Sequence, residues 1–195
     1  MSSSSSNATR AAILEAAWRH LENEGTAGLR MGTVAREAGF SRQAVYLHFG
    51  NRGGLLLALV QYVDTKLRLG DLLGEVGEAH TPSERVERQL AVTAHYAPRI
   101  HSVAQIFERD RYTDTDIRQA WEDRMEGRRR GLRSPLEQLG DEGRLRPEWP
   151  VERAVDALWA MGLPAVHQAL VVERTWSPED HARLLIETFH GMLEA

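Results

Sequence analysis

The sequence predicts an all-α protein with nine helices arranged in two domains. Three observations carry that prediction. Apolar residues recur at three- and four-residue spacing along almost the whole chain. No stretch alternates apolar and polar residues between turn signals, as a strand would. Glycines, prolines and capping residues bracket the periodic segments at the places where helices start and stop. The 195 residues are enough for a small domain followed by a medium one, and 42% hydrophobic with 27% charged residues matches a globular chain.

In order, residues 1–6 (Met1 and five serines) read as a disordered tail. The first helix is predicted from about Thr9 to Glu24, with Ile13, Ala16, Ala17, His20 and Leu21 on one face and Gly25 as its stop. Two short helices follow, about Met31 to Ala38 and Arg42 to His48. A fourth begins near Arg52 and runs through Leu55, Leu56, Leu59, Val60 and Val63 towards Leu73. Glycines 70, 74 and 77 mark the connection between a small domain, 7–67, and a larger body, 68–195. In the body, Thr81 and Pro82 open a helix expected to end before Pro98. Helices at about Arg99 to Arg111 and Asp116 to Leu139 come next. Pro150 opens another to about Arg174, and Ser177-Pro178-Glu179-Asp180 supplies the cap, first-turn proline and acids of the last.

Charge is unevenly placed. The net charge is −4, yet residues 1–55 hold six arginines against four glutamates, leaving the rest at −6. Screening confines each charge to about 10 Å, so a positive module on an acidic body can still meet phosphates. Of 24 basic residues only Lys66 is lysine, and arginine's planar fork suits phosphate and guanine.

Residues 30–49 carry the most information. Ala35 is small enough for a second helix to cross closely, and Gly39 sits four residues on, where helices end in the left-handed conformation. Ser41 can cap the helix that follows. Stepping about 100° per residue from an inward Val45, the positions Gln43, Tyr46 and Leu47 point away from it. Such a face suits the major groove. Gln43 can pair with adenine, Arg42 with guanine, and Leu47 can touch a thymine methyl. Tyr46, His48 and Arg52 suit phosphates, and Arg52 also lies at a helix start that favours anions.

Residues 9–60 resemble the N-terminal domain of the tetracycline-repressor (TetR) family of transcriptional regulators. The resemblance rests on Arg10-x-x-Ile13-Leu14-x-Ala16-Ala17, Glu24-Gly25, Val34-Ala35-x-x-Ala38-Gly39-Phe40-Ser41 and Val45-Tyr46-x-His48-Phe49-x-Asn51-Arg52-x-x-Leu55-Leu56. It implies a helix-turn-helix domain over 7–67, a helical ligand-binding and dimerisation domain over 68–195, double-stranded operator DNA and a small-molecule inducer as partners, and no cofactor. The expected DNA-binding set is Arg30, Thr33, Ser41, Arg42, Gln43, Ala44, Tyr46, Leu47, His48, Asn51 and Arg52. The chain departs from the family at Arg30, where a Thr or Ser cap is usual, and at Gly32. It also departs at Gln43, at Arg52 in place of lysine, and at Gly53-Gly54, which is expected to loosen the first turn of its helix.

In the body, the helix expected at 150–174 is apolar nearly all round and must be buried on two faces. With the last helix it can form a two-chain four-helix bundle, giving an expected homodimer interface of Leu158, Met161, Ala165, Ala169, Leu185, Phe189 and Met192. A two-fold dimer demands a near-palindromic operator. Pocket candidates are Tyr96, Phe107, Trp121, Met125, Trp159, Leu163 and His167, beside a kink at Pro164, and suit a small hydrophobic or aromatic ligand.

Other classes are excluded or weakened. Without cysteine there are no disulfides, thiolate metal sites or cysteine nucleophiles. No two of the eight histidines are spaced i, i+4, and Asp110, Asp114 and Asp116 lack the glycine and distal glutamate of a calcium loop, so no metal site is expected. Arg124, Arg128, Arg129, Arg130 and Arg133 alternate with acids as a solvated face does. No catalytic motif is present, and no enzyme is expected. The first residues lack a signal peptide's basic and apolar regions, and the apolar stretch 154–172 contains Asp156, Pro164, His167 and Gln168, so a cytoplasmic protein without membrane spans is expected. The alternative reading is a helical small-molecule binding protein that has lost operator recognition.

Overall fold

The computed structural model describes residues 2–25 and 29–194. Among these the chain forms ten α-helices and one π-helical segment, with no strand beyond an isolated bridge between Leu145 and Leu193. The helices are α1 (Ser2–Glu24), α2 (Met31–Ala38), α3 (Arg42–Phe49), α4 (Arg52–Lys66), α5 (Leu69–Gly77), α6 (Pro82–Asp110), α7 (Thr115–Asp141), α8 (Val151–Met161), α9 (Pro164–His167) and α10 (Pro178–His190). The π-helical turn, Gln168–Glu173, continues directly from α9.

Several boundaries differ from those the sequence predicts. Helix α1 begins at Ser2, inside the segment expected to be a disordered tail, although Met1 lies outside the described residues. The fourth predicted helix is two helices, because Arg68 adopts a left-handed φ of 55° between α4 and α5. Conversely, α6 runs straight through Pro98 where two helices were expected. The predicted 150–174 helix breaks at Gly162-Leu163. Pro164 then starts α9 as its first residue, where a missing N–H costs nothing, and the two halves are bent by 49°.

The chain forms two compact units. One comprises residues up to Arg68 together with Ser102–Glu122, and the other Leu69–His101 with the residues from Asp123 onward. The segment 102–122, the end of α6 and start of α7, therefore belongs with the N-terminal residues and not with the body.

In the first unit, α1 packs against α2 and α4, and α3 against α2 and α4. Ile13, Leu14, Ala17 and Leu21 of α1, Val34 and Ala35 of α2, Val45 of α3, and Leu55, Leu56 and Leu59 of α4 are buried there. Polar side chains tie the helix edges together. His20 Nδ1 meets Glu37 Oε1 at 2.9 Å, and the Tyr62 hydroxyl donates to Glu15. Burial, then that hydrogen bond, pushes the Tyr62 phenol up to about 12.

The second unit has a core drawn from four helices: Val86, Leu90 and Ala94 of α6, Leu132, Leu136 and Leu139 of α7, Ala154, Val155 and Leu158 of α8, and Ala182, Leu185 and Phe189 of α10, with Met192 just beyond it. Backbone bonds from Arg146 N to Met192 O (2.9 Å) and Glu194 N to Arg144 O (2.9 Å) pin the chain's end across the α7–α8 connection. No single helix among the described residues is long and apolar enough to cross a membrane. The bent pair Val151–Met161 and Pro164–Glu173 passes on length and composition only, and its Ala154, Val155 and Leu158 are core residues.

This core corrects the expected dimer interface. Leu158, Leu185, Phe189 and Met192 are wholly buried within one chain, which removes them from any contact with a second. Met161 packs partly buried against the same core, and only Ala165 and Ala169 of the expected set are exposed. A stripe at helical spacing shows that a face is covered without showing which surface covers it.

Candidate nucleic-acid interface

The turn between α2 and α3 is built by glycine. Gly39 holds φ 74° and ψ 23°, a left-handed conformation that costs a side-chain-bearing residue about 1 kcal/mol or more. It lets Phe40 N bond back to Ala35 O at 2.9 Å and Gly39 N to Arg36 O at 3.3 Å, closing α2 in a Schellman-type end. Ser41 then turns the chain into α3, its Oγ accepting from Ala44 N at 3.1 Å. A side-chain cap of this kind is worth about 1 kcal/mol. The start of α2 has no such help, since Arg30 makes no side-chain cap bond.

Helix α3 has two distinct sides. Val45 and Phe49 are buried against the unit's core. Ser41, Arg42 and Gln43 are exposed, Tyr46 is 40% exposed, and Leu47 is 86% exposed. An almost bare leucine in the middle of a folded helix buries little apolar surface within its own chain. Arg42 lies over the Tyr46 ring, 5.5 Å from its centroid, with Nη2 donating to the Tyr46 hydroxyl at 3.3 Å. That contact holds the guanidinium at the N-terminal end of the exposed face. Ala44 and His48 are half-buried at its edges, and Thr33 is half-buried on α2.

The start of α4 differs from the expectation. Asn51 caps it, accepting from Gly54 N at 2.8 Å. Arg52, expected on a phosphate, is engaged inside the unit. Its Nε donates to Leu29 O at 3.1 Å, and its Nη1 donates to the Asp110 carboxylate. Burial opposes ionisation of Asp110, but hydrogen bonds from Arg109 (Nε to Oδ1, 2.6 Å) and Arg52 override it and hold its carboxyl below the usual range. The glycine pair tightens this turn where loosening was expected. A Cβ at Gly54 would stand 2.1 Å from Phe49 O, and one at Gly53 would stand 3.0 Å from Asp114 Oδ2. Sequence reasoning weighed Asp110 only as a calcium ligand and missed its role, because the pairing spans 58 residues.

The expected pocket residues are divided between the two units. Phe107 and Trp121 are buried in the first unit, whereas Tyr96, Met125, Trp159, Leu163 and His167 belong to the second. There, Trp159 Nε1 donates to Met125 O at 3.2 Å, and Leu163 begins α9 as its N-cap. His167 is 2% exposed and lies between two histidines that spacing did not single out, with ring centroids 5.1 Å from His101 and 6.1 Å from His181. Burial, then the neighbouring His101 and His181, pushes His167 down to about 4, and burial lowers His181 as well. In the arginine run, Arg129 and Arg133 form exposed ion pairs with Asp156 and Glu152, as a solvated face would. Arg128 instead turns inward, donating from Nη2 to Gly162 O at 2.7 Å. The signal was its place on the stripe Trp121, Met125, Leu132.

A glycine-closed turn, a capped second helix and an outward polar–apolar face on that helix make up a helix-turn-helix motif. Residues 13–59 match the model described as bacterial regulatory proteins, tetR family. It is 34% identical over 84 residues to the HTH-type transcriptional regulator BetI of Rhizobium meliloti (strain 1021), a match covering 43% of this chain and 41% of that relative. It is 29% identical over 164 residues to ArpR of Pseudomonas putida, described as a probable HTH-type transcriptional regulator, covering 78% and 75%. Among solved structures, a transcriptional regulator from Saccharomonospora viridis in complex with choline superposes with a TM-score of 0.81 at 22% identity, covering 97% of this chain and 100% of that one. That likeness is one of fold.

Proposed function

We propose that this chain is a ligand-responsive transcriptional repressor that binds a near-palindromic operator as a homodimer and is released by a small hydrophobic or aromatic molecule. The exposed side of α3 carries the reading. Gln43 and Leu47 have no partner role within the fold, and they are the side-chain types that read adenine and thymine edges. Arg42, steadied on Tyr46, is assigned to guanine or phosphate, with Arg30, Thr33, Ser41, Ala44, His48 and Asn51 towards the backbone. Arg52 is assigned to holding the start of α4 in place, through which it acts on DNA indirectly.

For the dimer, the exposed apolar side chains Ala165, Ala169 and Val172 follow helical spacing through α9 and the π-turn, Trp176 is exposed just beyond it, and a second copy would cover them. Regulation by a small molecule is supported by the choline complex of the Saccharomonospora regulator, a property of that protein which this chain's second unit is proposed to share in kind. No catalysis is assigned, and a cytoplasmic location is proposed along with operator binding.

The test is a gel-shift titration on DNA upstream of its own gene at about 50 mM salt, where phosphate contacts are strongest. A retarded band competed by its own inverted repeat and not by random DNA is expected. Absence of specific binding would favour the alternative, a helical ligand-binding protein that no longer reads DNA.

A further inference from the structure

We infer that the second unit contains an effector site whose polar end takes the carboxylate of an amphipathic organic acid, formed by Arg128 with His101, His167 and His181. The inference rests on the reading of the chain as a small-molecule-responsive regulator and names the chemical class of that molecule.

These groups converge on one feature, the break between α8 and α9. Two consecutive carbonyls there are turned towards side chains. Gly162 O accepts from Arg128 Nη2 at 2.7 Å, and Met161 O faces His181 Nε2 at 3.4 Å. Gly162 makes the approach possible, because a Cβ on it would stand 2.4 Å from that same Nη2. The guanidinium is thus received by a backbone shaped to it, and its Nη1 faces the sulfur of Met125 at 3.9 Å. No carboxylate forms an ion pair with Arg128 among the described residues, and the nearby charge that acts on it is another cation, Arg124. Burial, then Arg124, pushes Arg128 down to about 10. A withdrawn, unpaired guanidinium is the condition that a bound anion relieves.

The imidazoles repeat the pattern. His167 and His181 are almost fully buried, at 2% and 1% exposure, and Nδ1 of all three histidines has no hydrogen-bond partner. A carbonyl can only accept, so His181 carries its proton on Nε2 and presents a bare acceptor at Nδ1. Buried polar nitrogens are normally satisfied, and three orphans in ring contact ask for a polar group between or beside them. They do not form a metal-holding group. A cation would meet one fixed guanidinium and three groups that accept protons, and a neutral molecule would leave Arg128 unpaired. A carboxylate, bringing a proton or drawing one onto the imidazoles, satisfies both sets, and Trp159 with Met125 supplies an apolar wall for the rest of the molecule.

The test is isothermal titration of the full chain with benzoate, 4-phenylbutyrate and octanoate, each against its primary amide, and with choline chloride. At least one acid should bind ten times or more tighter than its amide, and choline should not compete. Arg128→Met should abolish that acid–amide difference. If the variant does not fold, the wild-type comparison decides alone. Amides or choline binding as tightly as the acids, or no acid binding up to millimolar concentration, would overturn the inference. Parallel gel shifts separate the two readings. An acid that binds yet never releases operator DNA leaves this site standing and sinks the regulator, whereas release by amides alone does the reverse.

Discussion

Replacing Asp110 with asparagine perturbs one contact that holds residues far apart in sequence. The carboxylate is 12% exposed and accepts from both Arg52 and Arg109. Deleting one partner of a fully buried ion pair costs about 3–5 kcal/mol. Here Arg52 is 34% exposed and keeps its bond to Leu29 O, and Arg109 is half in water, where such pairs are worth about 0–1 kcal/mol. The expected loss is therefore about 1–2 kcal/mol. Urea denaturation at pH 7 and fixed protein concentration measures it, since oligomer stability depends on concentration. A double-mutant cycle with Arg52→Met should give a coupling of about 1 kcal/mol, while Arg109→Met should give less than half of that. The acid limb provides a second reading. Because the folded carboxyl titrates below its ordinary value, its contribution is complete above about pH 4 and lost as pH falls through the lower folded value. Asp110→Asn should remove that loss. A coupling of about 0.3 kcal/mol or less, with unchanged acid sensitivity, refutes the argument.

Two glycines should respond with opposite sign to alanine. Gly54→Ala must displace the Phe49 carbonyl and should destabilise by about 1–3 kcal/mol, whereas Gly32→Ala meets open space in a helix and should stabilise by about 0.5–1 kcal/mol in the same urea assay. His167 titrates near 4 in the folded chain and near 6.5 unfolded, so the unfolded chain binds the extra proton between those values. Stability should rise from about pH 4 to pH 6.5 by at most about 3 kcal/mol, and His167→Gln should flatten that slope in pH-resolved thermal melts. On DNA, Gln43→Ala should relax base preference at one position per half-site by about 1–3 kcal/mol and leave the salt slope unchanged, as a fluorescence-anisotropy salt series on operator variants would register.

The helix-turn-helix was legible because its signals are local. Gly39 as a left-handed stop, Ser41 as a cap, and Val45 against Gln43 and Leu47 all lie within one short window, and their geometry follows from backbone chemistry alone. Pro98 misled because a proline ends helices by default. Here it is exposed, and the helix continues past it from Pro82 to Asp110. Arg68 could not be foreseen as a break, since nothing in an arginine announces a left-handed φ. The burial of Leu158, Leu185 and Phe189 inside one chain, and the inward turn of Arg128, depend on which surface covers a stripe. Periodicity is silent on that.

The placement of 102–122 alongside the first residues has a consequence for biosynthesis. When the ribosome has released α3 and α4, Arg52 still lacks its carboxylate partner, and Gly53 still lacks the neighbour that Asp114 will supply. At about 5–20 residues per second, several seconds pass before that segment emerges. The first unit is thus finished only after part of the body has been made, and a fragment truncated at Arg68 would be born incomplete.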